Sequence, residues 1–443
     1  MKIAIAGAGI SGLTTAFYLQ RARPDWELTI FDAGEAAGGT MQTHEVEGFR
    51  FEAGGNGFLT NKPDGLKLVE DSGAEDLLLP SSDEARKRFI FDGALQPLPE
   101  SPQAFLKTKL LTLSQKLRVA GEFLVPPRRD GGEETLQQFG YRRVGKGLTD
   151  VFLDAMTAGI YGTTPAKVSV NAAFPLVVNL EREYGGLFKG MLAKRKKEAG
   201  PGGILMSFKG GVGTLVQHLQ GKIAAEWKLG EPVGVVARDG RRWRVESRSV
   251  SGRFDQVVIG AQPCASAAMF DESDPALAAL MRRIEYSPIA VVGLGYRSLQ
   301  HPLEGFGLLT TSAARQPVLG VLWDSSIFPD RAPEGCKAVR VMIGGQRSPS
   351  LVEQDDAGLL DTALAGIANT MGVRQQPDVV FTHRWMQGIP HYVVGHLDRV
   401  AAIFDHVAER PGLRLVCNAY RGIAMNDCVR NGRELAAQIA GAA

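Results

Sequence analysis

The chain has 443 residues, more than a single hydrophobic core supports, so we expect two or three structural domains. Hydrophobic residues make up 44% of it and charged residues 22%, which is the composition of a globular protein and excludes a disordered one. Lysine and arginine outnumber aspartate and glutamate by 50 to 48, and this near balance excludes nucleic acid or a strongly anionic molecule as a general partner.

The first predicted element is a short apolar strand, residues 3–6, followed by the motif Gly7-Ala8-Gly9-Ile10-Ser11-Gly12 and a helix. In this context the first glycine allows a tight turn, the second lets backbone approach a pyrophosphate, and the third lets helix and strand pack closely. The helix N-terminus adds free N–H groups and the positive end of its dipole. The motif therefore predicts a dinucleotide site. Because a strand already stands at the start, we expect no signal peptide and a cytoplasmic protein.

A second predicted strand, residues 28–31, ends at Asp32 and is followed by Ala33. A carboxylate about twenty residues after the glycines is placed to accept hydrogen bonds from ribose hydroxyls. The alternative is a solvated turn residue. The position of Asp32 at a strand end favours the ligand role.

Two further glycine clusters follow, Gly38-Gly39 with Thr40 and then Gly54-Gly55-Asn56-Gly57. Together they let backbone lie along an extended dinucleotide, which favours FAD over NAD. Two ordinary turns are the alternative for either cluster taken alone. Flavoproteins of the amine-oxidase type usually have an arginine two residues before the Gly-Gly pair, and Ala36 takes its place here.

The middle of the chain, from about residue 66 to 195, has a helical pattern and is interpreted as an insertion. Near its start, residues 88–98 predict a hairpin with Asp92-Gly93 at the turn. The run Lys194-Arg195-Lys196-Lys197 predicts a solvated loop, with contact to membrane headgroups as the alternative. No apolar stretch reaches the length of about twenty residues that a membrane-spanning helix needs, so any membrane contact is expected to be peripheral.

Dinucleotide-type patterning returns at residues 207–259 and ends in a predicted buried strand at residues 256–259, and strands between residues 290 and 343 predict a second sheet. After a strand at residues 413–416 we expect a helix with Asn426 or Asp427 as its N-cap. Aimed at the pyrimidine edge of a flavin, the N-terminus of this helix favours the reduced, anionic ring; a capped surface helix is the alternative. The four cysteines form no C-x-x-C pair and have no histidine at ligand spacing, which predicts buried thiols and no metal site.

These elements predict an α/β fold with three parts. A discontinuous FAD-binding domain of Rossmann type comprises residues 1–80, 203–285 and 411–443. A helical insertion, which is also the candidate for membrane contact, spans residues 81–202. A substrate-binding domain with a mixed sheet spans residues 286–410.

From Gly7 to Arg433 the chain resembles the protoporphyrinogen oxidase family, the FAD enzymes of haem (porphyrin) biosynthesis. The motifs that carry the resemblance are Asn418-Ala419-Tyr420-Arg421-Gly422 with Asn426-Asp427-Cys428, Gly388-Ile389-Pro390-His391-Tyr392 with Gly395-His396, and Gly305-Phe306-Gly307. Generic flavin oxidases lack these motifs. The chain departs from the family at Cys417, where glycine is usual, and at His391, where glutamine is usual.

The resemblance implies a set of cofactor contacts and a set of substrate contacts. The FAD contacts are Gly7, Ala8, Gly9, Ile10, Ser11, Gly12, Asp32, Ala33, Gly39, Thr40, Gly54, Gly55, Asn56, Gly57, Val233, Ile423, Ala424 and Met425. In the substrate set, Arg88 holds a propionate, Gly159 leaves room near the flavin, and Phe306, Leu309, Leu322 and Met342 form apolar walls. A planar guanidinium suits a carboxylate because it can bind both oxygens. From the sequence alone, Arg88 would be a surface residue and the apolar residues core.

The resemblance also implies the reaction, in which protoporphyrinogen IX loses six electrons as three hydride transfers to the flavin, and O2 is reduced to H2O2. No acid–base pair stands out in the sequence, so no catalytic base is assigned. We expect the protein to promote the reaction by positioning the substrate against the flavin. The expected partners are the tetrapyrrole and O2, with a hand-off to ferrochelatase left open and no oligomeric state assigned. Three alternatives remain: a coproporphyrinogen III oxidase of the same family, an amine oxidase or carotenoid desaturase, and a flavin-bound tetrapyrrole carrier without catalysis.

Overall fold

The computed structural model describes residues 1–129, 131–197 and 203–441 and confirms the predicted α/β class. The strands are β1 Lys2–Ala6, β2 Glu27–Phe31, β3 Thr43–Val46, β4 Phe49–Glu52, β5 Phe58–Leu59, β6 Leu78–Pro80, β7 Arg88–Phe91, β8 Leu95–Pro97, β9 Leu205–Phe208, β10 Glu226–Lys228, β11 Val233–Asp239, β12 Arg242–Ser247, β13 Ser251–Phe254, β14 Gln256–Ile259, β15 Tyr286–Tyr296, β16 Gly307–Thr310, β17 Val318–Leu322, β18 Lys337–Gly344, β19 Val379–Pro390 and β20 Leu413–Leu415.

The helices fall between these strands, and eight of those described lie in the predicted insertion. They are α1 Ile10–Ala22, α2 Asp64–Ser72, α3 Pro102–Lys107, α4 Leu113–Ala120, α5 Leu136–Arg143, α6 Lys146–Leu148, α7 Asp154–Tyr161, α8 Val170–Ala173, α9 Pro175–Tyr184, α10 Leu187–Lys197, α11 Val212–Lys222, α12 Pro263–Ala268, α13 Pro275–Arg282, α14 Asp324–Ile327, α15 Asp356–Met371, α16 His396–Ala408 and α17 Met425–Gly441.

The FAD-type domain is built on a parallel sheet of five strands in the order β10-β2-β1-β14-β20. Ile3 and Ile5 face a core formed with helices α1, α11 and α17. Ala4 and Ala6 face the opposite core, which includes the three-stranded sheet β11-β12-β13 and helices α12, α13 and α16. Burial on both faces explains why β1 reads as a continuous apolar run rather than an alternating one.

The second domain is built on a seven-stranded sheet in the order β19-β15-β18-β17-β16-β7-β8. Strands β16 and β7 pair in parallel and the other neighbours are antiparallel, so the sheet is mixed as predicted. One face packs on helix α15 through residues such as Leu308, Val321 and Val341. The other face turns toward the FAD-type domain and the helical insertion.

The predicted hairpin at the start of the insertion exists, as β7 and β8, but it belongs to this sheet. Arg88 pairs with Gly307 and Phe91 with Thr310, in parallel. The helical part of the 81–202 segment therefore begins only at Pro102. The hairpin was recognisable from its turn residues, whereas its neighbour in the sheet lies far along the chain and leaves no local signal.

The helices of the insertion surround a small apolar core that includes Leu136, Phe139 and Leu180. The cationic run predicted as a loop forms the end of helix α10, and the side chains of Lys194 to Lys197 lie outside the described residues. Among the helices that the structure describes, none combines the length and the apolar character needed to cross a membrane.

Candidate active site

A cavity of about 970 Å³ lies at the carboxyl end of the parallel sheet, at the upper end of the range for small-molecule sites. Its wall includes Gly7 after β1, Asp32 after β2 and Gly260 after β14. From β1 the chain builds outward through β2 and β10 on one side and later adds β14 and β20 on the other, so the direction of the strand order reverses next to β1. Ligands of open α/β sheets bind at such a switch point.

The glycine motif forms the floor of this cavity, and its glycines have different tasks. Gly9 is the N-cap of helix α1 and has no side chain to bond the first N–H groups, which leaves them for a ligand. A Cβ on Gly9 would meet no protein atom closer than 3.9 Å, so the protein itself tolerates a larger residue there. A Cβ on Gly12 would lie 2.0 Å from the carbonyl oxygen of Gly7, so that glycine is needed for packing.

Asp32 lines the cavity at the end of β2, as predicted. Its Oδ2 accepts a hydrogen bond from the backbone N–H of Ala8 at 2.6 Å, and its Oδ1 accepts one from Gly34 at 2.8 Å. The carboxylate therefore already fixes the glycine turn. Each oxygen keeps a further lone pair for a ribose hydroxyl, and that contact stays a prediction.

Fourteen of the predicted cofactor residues line the cavity, and four lie behind its wall. Those in the wall are Gly7, Gly9, Ile10, Ser11, Asp32, Ala33, Gly39, Thr40, Gly55, Gly57, Val233, Ile423, Ala424 and Met425. Ala8, Gly12, Gly54 and Asn56 are the four behind it. The last two are turned to protein partners, because the Gly54 carbonyl and the Asn56 side chain both accept hydrogen bonds from Arg340.

The C-terminal wall is formed by the start of helix α17, whose first residue is Met425. The prediction of Asn426 or Asp427 as N-cap was wrong, since both lie within the helix. The Asn426 side chain bonds the N–H of Gly65 at 2.8 Å and the carbonyl of Leu59 at 2.9 Å. These distant partners hold it away from its own helix end.

Several residues of the wall have no counterpart among the predictions, including Gln42, Lys62, Gln262 and Trp385. Lys62 is the one lysine or arginine of the described wall, and its Nζ lies 2.8 Å from Oδ1 of Asp427. Gln262 follows the predicted strand β14, and the rule that ligands bind at carboxyl ends of strands would have pointed to it. Trp385 lies on β19 of the domain with the seven-stranded sheet, and no motif around it in the sequence marks it as a cofactor contact.

The six predicted substrate residues lie together, next to the cavity rather than in its wall. Leu309, Leu322 and Met342 share one face of the seven-stranded sheet, as the register Leu309–Gly320–Met342 and Gly307–Leu322 requires. They are half-buried, whereas their strand neighbours on the other face are buried. This half-covered apolar face, extended by Phe306, is called the substrate face below.

Gly159 and Arg88 lie at the substrate face as well. A Cβ on Gly159 would lie 2.8 Å from the side chain of Leu309. The Arg88 guanidinium lies 5.0 Å from the centre of the Phe306 ring, and no carboxylate approaches it within 4.0 Å in the part of the chain that the structure describes. An exposed cation without an acidic partner at the rim of an apolar face is suited to a carboxylate on an otherwise apolar ligand.

Leu205 joins the two parts of the site. It lines the cavity and also packs in the cluster that contains Phe306 and Leu322. A cofactor in the cavity and an apolar ligand on the substrate face would therefore be neighbours.

The thiols at and near the cavity are held in unreactive states. Burial raises the pKa of the Cys428 thiol to about 11, and burial likewise raises the pKa values of Cys417 and Cys264. None of these thiols is ionised near pH 7, so none is an activated nucleophile. Among the described residues no three histidine, cysteine, aspartate or glutamate side chains are grouped to hold a metal ion. The site offers positioning and backbone donors, as a cofactor that carries its own chemistry requires.

Comparison with known proteins agrees with this geometry. The family model described as flavin containing amine oxidoreductase matches residues 10–440, so the chain belongs to that family. It is an FAD-dependent oxidoreductase, and the predicted cofactor and family resemblance are confirmed.

Curated relatives cover nearly the whole chain. A coproporphyrinogen III oxidase of Bacillus subtilis is 27% identical over 97% of this chain and 96% of its own. The protoporphyrinogen oxidase of Homo sapiens is 27% identical over 99% of this chain and 98% of its own.

A crystal structure from Exiguobacterium sp. 255-15, provisionally assigned as a protoporphyrinogen oxidase, matches with a TM-score of 0.88 and 26% identity over 100% of this chain and 99% of its own. A putrescine oxidase structure has a TM-score of 0.74 at 16% identity over 99% of both chains, which shows a shared fold.

Proposed function

We propose that the protein oxidises a porphyrinogen to the corresponding porphyrin in haem biosynthesis, with protoporphyrinogen IX as the substrate. The observation that carries the proposal is the substrate face with Arg88 at its rim, joined to the FAD cavity through Leu205. A tetrapyrrole is apolar over its ring and carries propionates at its edge, which matches this distribution of apolar surface and charge. The names of the relatives point to the same class of substrate.

FAD, when bound, supplies the two-electron acceptor, and the conversion takes three two-electron steps. With O2 as the final acceptor, each step yields one H2O2, so one protoporphyrinogen consumes three O2. The residues of this chain orient the substrate, through Arg88 on a propionate and the substrate face on the ring. No side chain is proposed as a catalytic base, because burial holds the wall thiols Cys417 and Cys428 protonated.

Coproporphyrinogen III is the second candidate, and Lys62 is the observation that favours it. That substrate carries four propionates instead of two, which calls for a second cationic group. Lys62 is about half exposed and lies in the described cavity wall, although Asp427 already pairs with it.

The test is aerobic turnover of purified, FAD-loaded protein with the two porphyrinogens in parallel, followed by porphyrin fluorescence and by H2O2 release. We expect protoporphyrinogen IX to be converted with the higher kcat/KM and with three H2O2 per porphyrin. Faster conversion of coproporphyrinogen III would establish the second candidate. Porphyrin binding without oxygen uptake would identify a carrier, and turnover of amines or carotenes alone would refute porphyrinogen oxidation.

We also propose that the helical insertion contacts the anionic, cytoplasmic face of a membrane. Leu106, Leu113, Leu117 and Leu124 are between 65% and 87% exposed. Residues 101–120 contain four lysines and arginines, Lys107, Lys109, Lys116 and Arg118, and no acidic residue. Exposed leucines beside uncompensated cations are the combination by which proteins bind anionic lipid surfaces.

Co-sedimentation with vesicles tests this contact. We expect binding to vesicles that contain phosphatidylglycerol, weaker binding to phosphatidylcholine alone, and loss of binding in Leu113→Ser/Leu117→Ser. The matched control is Leu397→Ser, because Leu397 is also about half exposed but lies on helix α16, outside the insertion. Equal binding of both variants would refute the assignment of this surface.

A further inference from the structure

Strand β18 of the substrate sheet carries a fully buried arginine, Arg340, two residues before Met342 of the substrate face. A buried guanidinium is costly unless its donors are satisfied. The Nε and Nη2 atoms of Arg340 each lie 3.1 Å from an oxygen of Asp324, which is also buried. This Arg340–Asp324 contact is called the cofactor pair.

The remaining donors of Arg340 all go to one short segment, residues 52–57, called the cofactor loop. Nη1 donates to the carbonyl oxygen of Glu52 at 2.5 Å and to that of Gly54 at 2.9 Å, and Nη2 donates to the side chain of Asn56. The cofactor loop supplies Gly55 and Gly57 to the cavity wall. A side chain of the substrate sheet therefore fixes the backbone that meets the cofactor.

A second residue of the same sheet completes this attachment. Trp385, on β19, donates its indole N–H to the carbonyl of Ala53 at 2.7 Å, and its ring lines the cavity. Three consecutive carbonyls of the cofactor loop, from Glu52 to Gly54, are thus bonded by side chains of the substrate domain. The loop is therefore held from both domains, since the N–H of Ala53 also donates to the carbonyl of Gln42 at 2.9 Å.

A second arginine, Arg347, is largely buried and lies three residues after the end of β18. Arg347 Nη2 donates to Oδ2 of Asp154 at 2.8 Å, and Nη1 donates to the carbonyl of Thr310 at 2.7 Å. Asp154 begins helix α7, which also carries Gly159. This Arg347–Asp154 contact, called the helix pair, holds α7 against β16, where Gly159 meets Leu309.

We propose that Arg340 and Arg347 are positioning residues of the active site, the first for the cofactor loop and the second for helix α7. Strand β18 then sets the distance between the cofactor and the walls of the substrate site. The role of Arg340 rests on the FAD site alone. The role of Arg347 rests on the proposed function, because it acts on the substrate face.

If the two arginines only stabilise the fold, removing both charges of a pair should leave FAD affinity and the porphyrinogen KM unchanged. Replacing a buried ion pair by uncharged residues of similar volume is often neutral or stabilising, whereas removing one partner leaves a buried charge. Two double variants remove both charges of each pair: Arg340→Met/Asp324→Asn for the cofactor pair, and Arg347→Met/Asp154→Asn for the helix pair. Their FAD dissociation constants are measured on the apo proteins by titration with FAD, together with apo thermal midpoints.

The cofactor-pair variant is expected to raise the dissociation constant of FAD at least about tenfold, since charge-assisted hydrogen bonds to the loop are lost. The helix-pair variant is expected to bind FAD within about twofold of wild type but to raise the porphyrinogen KM about fivefold. Arg340→Lys, which keeps the charge but not the planar fork, should fall between wild type and the cofactor-pair variant.

Equal FAD affinity in wild type and the cofactor-pair variant would overturn the proposal for Arg340, as would an equal loss in both double variants. An unchanged KM in the helix-pair variant would overturn it for Arg347. If the cofactor-pair variant does not fold, Asn56→Ala removes one loop acceptor and leaves the pair, and an unchanged FAD affinity there would also refute the proposal. Failure of wild type to oxidise any porphyrinogen refutes the proposed function and leaves the FAD result on Arg340 valid.

Discussion

The cofactor part and the substrate part of this site differ in how their residues are arranged along the chain. Eight residues of the cofactor cavity wall are glycines, and most of them lie in short runs of the chain such as residues 7–9, 38–39 and 55–57. The substrate face takes side chains from β7, β16, β17 and β18, which are far apart in the chain. A demand on backbone geometry leaves a local sequence signature, whereas a face assembled from separate strands leaves none. The glycine turns and Asp32 were therefore predictable from the residues, whereas the substrate face was predicted only from the family resemblance.

The strongest test of the cofactor part is Gly9→Val. Gly9 has ordinary helix-entry geometry, with φ −70° and ψ 173°, and open space around its missing Cβ. The valine should be tolerated by the fold but should occupy the place of the pyrophosphate. We expect FAD affinity to fall at least about 100-fold, or about 2.7 kcal/mol, and the protein to purify colourless.

Gly121→Val is the matched control, because Gly121 also has a negative φ and open space but lies in the helical insertion. Its FAD occupancy should equal that of wild type. If Gly9→Val still purified yellow with full FAD occupancy, the dinucleotide would have to lie elsewhere than over the glycine motif. The assignment of the glycine-rich cavity as the cofactor part of the site would then be wrong.

The second test concerns His391, which lies where the substrate sheet meets the C-terminal segment of the cofactor part. Its ring is buried, its Nε2 contacts Thr163 Oγ1 at 3.2 Å, and its neighbour Tyr392 bonds the C-terminal cofactor segment at Asn418 and Gly422. Burial lowers the pKa of His391 from 6.5 to about 4. The unfolded chain therefore binds the proton more readily than the folded one, so stability is unaffected above pH 6.5 and falls as the pH drops from 6.5 toward 4.

At pH 5 this shift in the pKa of His391 lowers the free energy of unfolding by about 2 kcal/mol. His391→Gln removes the titration and should reduce the loss of stability between pH 7.5 and pH 5 by that amount, measured by denaturant unfolding at both values. Part of the acid sensitivity should persist, because burial lowers the pKa of His396 to about 4 as well. Parallel pH profiles for variant and wild type would show that the imidazole is not desolvated as the structure indicates.

The strands show where sequence reasoning succeeded and where it stopped. Strand β14 was predicted over the residues it occupies, 256–259, because burial on both faces demands an apolar run. Hairpin β7-β8 was found from its turn, but its parallel pairing with β16 depends on a segment more than two hundred residues away. The N-cap prediction at Asn426 failed for the same reason, since partners on another element took its side chain.

The two positioning arginines mark another limit of prediction from the sequence. Neither Arg340 nor Arg347 was singled out from the sequence, because each stands in or next to a strand without a motif. Their partners, Asp324 and Asp154, are the first residues of short helices and look like ordinary helix-start residues. The link that the two arginines make between the cofactor part and the substrate part becomes visible only when segments distant in the sequence are packed together in the structure.

The third test concerns the substrate part and is Arg88→Ala. If Arg88 holds a propionate, the variant should raise the porphyrinogen KM about tenfold while FAD affinity stays within about twofold of wild type. Arg86→Ala is the control, since Arg86 is an exposed neighbour already 3.1 Å from Asp83. A KM that is unchanged in Arg88→Ala, or raised equally in both variants, would remove the specific role of Arg88.

The smallest expected effect is that of Gly159→Ala, which probes whether the substrate face tolerates a change of one methyl group. The new Cβ would lie 2.8 Å from the end of the Leu309 side chain, which can rotate, so the fold should lose less than about 1 kcal/mol. Displacement of Leu309 toward the substrate should raise the KM about threefold, because a methyl-sized misfit costs a fraction of the energy of an ion pair. FAD affinity should be unchanged, as Gly159 lies outside the described cavity wall. A loss of FAD from this variant would mean that the two parts are not separable, and that the division between a glycine-rich cofactor cavity and a substrate face assembled from separate strands is wrong at Leu309.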